Sequence, residues 1–229
     1  MDRKIHEKYL LHENIDNLKG LEVELIYEWE VGSMLIFGPI VSMLCWILFF
    51  PDNYQLNAGE ELAKLAESKN SVVLGGYLAT ISTASMILGL YFLAKSINTD
   101  KSTSSNLAEI SGLLILLTFP VLVGLQGIGI AALDAADRVD AGLAQGILEG
   151  ARGWDISLSF IMGISWFILG ISLTMKKKFY TVISALFAIA GVSAILDNFV
   201  EFEIFAIIGW MGGFLSMVIM GVLTFMNIE

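Results

Sequence analysis

Residues 111–155 read SGLLILLTFPVLVGLQGIGIAALDAADRVDAGLAQGILEGARGWD. The first half, Ser111–Leu133, is an apolar run of the length a helix needs to cross about 30 Å of hydrocarbon. It carries one proline (Pro120), one amide (Gln126) and four glycines. The second half places three aspartates, Asp134, Asp137 and Asp140, within seven residues. A membrane-spanning segment therefore leads directly into an acidic helix. This joint organises the chain and is the place to look for a ligand.

The same character extends outward. Of the 229 residues, 56% are hydrophobic and 16% charged, with a mean hydropathy of +0.74. A soluble domain carries about 25% charge. Between the charged patches lie apolar runs of about 18–25 residues, so the chain reads as a polytopic membrane protein. In lipid the backbone must satisfy its own hydrogen bonds, which makes these runs helices. Their continuous apolarity excludes the alternating pattern of an outer-membrane barrel.

Six spans are expected, at about 34–50, 72–93, 107–133, 156–175, 179–196 and 201–226. The fold class is all-α, a bundle of three hairpins over residues 33–229. Residues 1–32 form a cytoplasmic amphipathic segment, with Ile5, Tyr9, Leu11, Ile15, Leu18, Leu25 and Trp29 at roughly helical spacing. That segment reads either as a membrane-surface or partner-docking helix or as a solvated lead-in packed on the bundle. The first apolar run follows it with no small-residue cleavage pattern, so no removable signal is expected. Pro51 stops the first span. Pairs of Asn and Glu three apart (Asn57–Glu60, Asn106–Glu109, Asn198–Glu201) resemble capping boxes opening a loop helix from Ala58 to about Ser68, span 3 and span 6. Short helices are expected in outer loops one and three.

Nine of the thirteen Lys and Arg residues fall in the N-terminal segment and the second and fourth loops, among them Lys176, Lys177 and Lys178. The positive-inside rule then puts both termini in the cytoplasm of a cell, or plasma, membrane protein. Twelve acids fall on the outer side against four bases, so most of the net charge of −10 is an outer-face charge. Such a face attracts cations and disfavours nucleic acid. It serves a cationic ligand or partner, or simply keeps the surface solvated.

A weak repeat places Ile87-Leu88-Gly89, Ile168-Leu169-Gly170 and Ile219-Met220-Gly221 at corresponding depths, each glycine four or five residues after a serine (Ser85, Ser165, Ser216). Small residues let membrane helices approach closely.

Catalytic chemistry finds little footing. His6 and His12 are the only histidines and both lie in the N-terminal segment; their spacing with Glu13 and Asp16 is not that of a ligand motif. No Ser–His or Cys–His pair is available within the bundle, and Cys45 is the only cysteine. No catalytic residue, cofactor or metal site is expected. Glu109 reads as a helix cap. Gln126 is the most polar side chain deep in a span, and an amide in hydrocarbon must face protein or water. Gly124, Gly127 and Gly129 narrow its helix, and Gly127–Ala131 is a small-xxx-small pair. Asp137 follows Gln126 by three turns on nearly the same face, Asp134 flanks it, and Asp155 opens span 4 on the same side. Ser157, Ser159 and Ser165 are candidate partners for the amide. The candidate ligand set is Gln126, Asp134, Asp137, Asp155 and Ser159. It reads as an outward-facing cleft with an acidic mouth, or as one interhelical hydrogen bond of about 1 kcal/mol beneath a solvated helix in which Asp134 pairs with Arg138.

The layout also resembles six-helix membrane-protein families known as domains of unknown function. The resemblance rests on a glycine-punctuated span (Gly163, Gly170), the short hairpin Lys176-Lys177-Lys178-Phe179, a small-residue span (Ala190-Gly191), a final span with Trp210, and the loop NAGEELAKLAESKN. It implies a fold and a membrane location and no activity. The expected function is binding or passage of a small or lipid-like ligand at spans 3 and 4. The alternative is a structural or regulatory subunit of a larger membrane complex, with an intramembrane enzyme less favoured. Expected partners are membrane lipids and protein subunits or further copies of the chain.

Overall fold

A computed structural model describes residues 28–50, 58–98, 100–138, 141–200 and 203–226. Among them there is no strand. The helices are α1 (Glu28–Phe49), α2 (Ala58–Glu67), α3 (Lys69–Ile97), α4 (Thr103–Asp137), α5 (Ala141–Lys176), α6 (Thr181–Leu196), α7 (Glu203–Ala206) and α8 (Gly212–Phe225). A π-helical turn, Ile207–Met211, joins α7 to α8, so Ile204–Phe225 forms one rod. Five helices are long and apolar enough to cross a membrane: α1, α3, α4, α5 and this rod. That is the character of a multi-pass membrane protein. The sixth expected span is α6, of 16 residues and about 24 Å. Hydrogen-bonded turns extend it, with Phe199 and Val200 both donating to the Leu196 carbonyl.

Several boundaries differ from expectation. The surface-helix reading of residues 1–27 lies outside the described residues, but α1 already begins at Glu28, so Trp29 is part of the first span. Asn57 and Glu201 also lie outside them. Helix α4 starts at Thr103, three residues before Asn106, and its N-cap is Ser102, whose hydroxyl accepts from the Ser105 N–H at 3.3 Å. Glu109 is thus an exposed residue inside the helix, not a cap. Asp100 is what makes Ser102 the start. Its carboxylate accepts from the Ser102 N–H (3.0 Å), the Ser102 hydroxyl (2.5 Å), the Ser105 hydroxyl (2.6 Å) and Lys176 Nζ (2.8 Å). One side chain therefore opens α4 and ties it to the end of α5. Just beyond, Lys177 takes a left-handed φ of 54°, and Lys178 N–H reaches back to the Leu173 carbonyl, turning the chain sharply into α6.

The third loop shows the largest departure. Helix α5 has no break at Gly153-Trp154-Asp155 but runs 36 residues from Ala141. Asp155 stands mid-helix and does not open a span. Helix α4 has 35 residues and contains Pro120. Both helices are about 53 Å long, well beyond the hydrocarbon thickness. Their projecting ends meet α2. Leu62 and Leu65 of α2 pack with Val72, Leu133, Ala144 and Leu148 in a small apolar cluster, apart from the main core built on Leu35, Met86, Leu90, Trp166, Phe187 and Met217.

The main core is held by close approaches. The three repeat glycines all sit at helix crossings: Gly89 against Met34 and Leu35, Gly170 against the Ala188 backbone, and Gly221 against the Gly32 carbonyl. The tightest approach of one backbone to another at these glycines is α5 on α6. A Cβ on Gly191 would lie 2.5 Å from the Phe167 nitrogen and 2.6 Å from the Gly163 carbonyl oxygen. Hydroxyls bond across helices as well, Ser111 to the Ser165 carbonyl at 2.8 Å and Ser172 to the Ser104 carbonyl at 2.7 Å. Two of the four α4 glycines behave differently. Gly127 and Gly129 have nothing within 4 Å of a Cβ, so they do not mark helix contacts.

Two predictions follow from this packing. Gly191→Ala is expected to destabilise the protein by about 2 kcal/mol, because neither backbone can yield. Gly127→Ala should be neutral or stabilising by up to about 1 kcal/mol through helix propensity. Thermal unfolding in detergent reads both, and equal midpoints for the two variants would contradict this account. The second concerns pH. Hydrogen bonds from Lys176 first, then from Ser102 and Ser105, hold the Asp100 carboxyl well below its ordinary value of 3.8. A carboxylate lowered on folding contributes stability that is full above the unfolded value and is lost as pH falls through the folded value. The wild-type unfolding midpoint should therefore drop more steeply below pH 3.8 than that of Asp100→Asn. Parallel curves would remove Asp100 from this role.

Candidate functional site

A cavity of about 360 Å³ lies between the small cluster and the main core. Its walls come from five helices. Trp46 of α1 and the adjacent Phe50 form one side, with ring centroids 4.3 Å apart. Glu61, Leu62 and Leu65 of α2 lie above, and Gly76, Thr80 and Thr83 of α3 lie behind. Leu122, Leu125, Gln126 and Gly129 of α4 face Arg152 and Asp155 of α5. A second cavity of about 390 Å³ adjoins it. The two share Trp46, Thr83, Leu122, Leu125 and Asp155. The second runs toward Met86, Met162, Trp210, Met211 and Phe214, and is lined by apolar side chains with Ser42 and Thr83 as its neutral polar groups. Those two hydroxyls bond to each other at 3.0 Å, joining α1 to α3 at the junction. The π turn places Trp210 and Met211 on this wall; such turns often occur at functional sites.

Gln126 is half-buried and rests against α3. A Cβ on Gly76 would stand 2.2 Å from the Gln126 Nε2, so only glycine there leaves the amide its present seat. Thr80, one turn on, turns its hydroxyl to the Gly76 carbonyl at 2.8 Å. Among the described residues no hydrogen bond links Gln126 to the span 4 serines. Ser157 donates to the Gly153 carbonyl and Ser165 to the Met162 carbonyl, both along their own helix. Ser159 is buried and lines neither cavity.

The three candidate aspartates separate into two groups. Asp134 and Asp137 both accept from Lys69, the first residue of α3, with 2.7 Å to Asp134 Oδ1. Gln126 and Asp137 do share the face of α4 that meets α3, since Gly76 and Lys69 lie two turns apart on that helix. The lysine occupies the end of that seam, and neither aspartate lines a cavity. Asp134 was expected to pair with Arg138; its direct partner is instead Lys69. The sequence could not show this, because the pair is separated by 65 residues.

Asp155 lines both cavities. It is an exposed residue of α5. Among the described residues no hydrogen bond or ion pair reaches its carboxylate. Glu61 accepts from Arg152 at 2.6 Å, one turn before Asp155, which also ties α2 down over the cavity. The arrangement is an apolar space with one amide, two threonine hydroxyls and an unpaired carboxylate. It can hold an amphiphile; among the described residues no group of three His, Cys, Asp or Glu side chains could hold a metal ion.

Of the predicted site residues, the structure thus brings Gln126 and Asp155 to one cavity and sets Asp134, Asp137 and Ser159 apart from it. Sequence reading missed Trp46, Gly76, Thr83, Glu61 and Arg152, and the whole second cavity. The spacing of Leu62 and Leu65 in an otherwise charged helix was the available sign that α2 covers something apolar.

Compared with known proteins, the chain matches no family model, no curated protein and no solved structure.

Proposed function

We propose that the chain is a six-span protein of the cell membrane, with both termini in the cytoplasm, that binds or passes a small or lipid-like ligand through a cleft between α3, α4 and α5. The cavity reached by both Gln126 and Asp155 carries this reading. Its size falls within the range of small-molecule sites, about 300–1,000 Å³, and it has their usual character of apolar walls with a few placed polar groups. The charge distribution of the loops supports an outward-facing mouth at the α2 end. Membrane lipids are the natural neighbours of the apolar faces, where Leu48, Ile81 and Val182 are each more than two-thirds exposed. The alternative, a structural or regulatory subunit, leans on the N-terminal segment and the acidic surface and leaves the cavity without a purpose.

Two variants test this reading by different routes. Gln126→Leu removes the amide at nearly equal volume. Gly129→Leu sends a side chain from a position with nothing within 4 Å, so it fills the cavity with no initial clash. Protein purified from native membrane is analysed by native mass spectrometry for retained small adducts. Both variants are expected to retain at least tenfold less than wild type, with unfolding midpoints unchanged. Wild-type retention in both would remove the cleft as the binding site.

A further inference from the structure

We infer that the occupant of the joined cavities is a singly charged amphiphilic cation, with its ammonium head at Asp155 and its apolar tail in the methionine-lined cavity. The inference rests on the cleft reading above and adds the chemical class of the ligand. Three charged side chains line the joined cavities, and of these Asp155 alone stands at the junction. Glu61 and Arg152 form an ion pair at 2.6 Å on the wall of the first cavity, which leaves Asp155 as the carboxylate with no hydrogen bond or ion pair among the described residues. A bound cation would gain from an unpaired carboxylate on the wall of an apolar cleft. A neutral or anionic ligand would not. A metal ion needs several converging oxygen or nitrogen ligands, and the described residues offer no such group.

The walls specify the rest of the molecule. Met43, Met86, Met162 and Met211 all line the second cavity. Unbranched thioether side chains adapt to varied apolar shapes, a trait of promiscuous binding surfaces. Trp46, like Asp155, lines both spaces, so an aromatic side chain that can take part in cation–π contact stands at the junction. Ser42 and Thr83 hydrogen-bond each other, which leaves the tail cavity without a strong polar demand.

The test uses the full chain in phosphatidylcholine nanodiscs and three probes of equal tail: octyltrimethylammonium, 1-octanol and octyl sulfate. Titration calorimetry, with empty nanodiscs subtracted, reads binding. The ammonium probe is expected to bind at least tenfold more tightly than the alcohol, and the sulfate more weakly than both. Asp155→Asn, at an unchanged unfolding midpoint, should bring the ammonium to the level of the alcohol and leave the alcohol as it was. Equal binding of ammonium and alcohol to wild type, or a preference that survives Asp155→Asn, would overturn the cation assignment while leaving the cleft in place. No binding of any probe would overturn both. If Asp155→Asn fails to fold, the three-probe comparison on wild type still decides, and Asp155→Glu is expected to keep the cation preference.

Discussion

A hydrocarbon layer about 30 Å thick accommodates about 20 residues of helix, and α4 and α5 have 35 and 36. That excess has to leave the membrane, and the rest of the α2 end follows from it. The projecting turns carry aspartates on one side and leucines and alanines on the other, so they need an apolar cover in water. Helix α2 supplies it with Leu62 and Leu65, and the small cluster forms around them. This cluster cannot merge with the main core, which is built lower down on Trp166, Phe187 and the methionines of α3 and α8. Space remains between two separately packed bodies, and that space is the first cavity.

Within the span region the packing obeys a different rule. Lipid tails are as apolar as leucine, so helices gain nothing by simply burying leucines against one another. Close backbone approach and hydroxyl bonding take over. Gly163 and Gly191 interlock α5 with α6, Gly32 and Gly221 interlock α1 with α8, and Ser111 and Ser172 each bond across the α4–α5 contact. Exposed Ile, Leu and Val cover the outside, where lipid is an acceptable neighbour. Pro120 fits within this scheme, since a helix in a bundle can lose one backbone hydrogen bond when neighbouring groups help satisfy the freed carbonyl.

The helices were legible in the sequence, five of them long and apolar enough to cross a membrane, because apolar runs of this length admit no other backbone in lipid. The repeat glycines were legible for the same reason: a residue with no side chain in a span usually marks a crossing, and Gly89, Gly170 and Gly221 do. Gly127 and Gly129 were not legible, since the same absence of a side chain leaves open space there instead. Helix starts were read from Asn–Glu pairs, yet Ser102 opens α4 because a distant lysine, Lys176, fixes Asp100 beside it. The site was half legible. Gln126 stood out for its polarity and Asp155 for its place at the joint. The diversion of Asp134 and Asp137 to Lys69 depends on how α3 enters the bundle, which no local pattern encodes.

The cations at the α2 end give Asp155 its meaning. Lys69 holds two carboxylates and Arg152 holds a third, each on a neighbouring helix. Each of these pairs joins two helices and has a packing role. Asp155 joins nothing, though it lies one turn from an arginine on its own helix. An isolated carboxylate in a sealed apolar interior would be neutralised or drawn to a partner. Its exposure is the condition under which it can remain as it is.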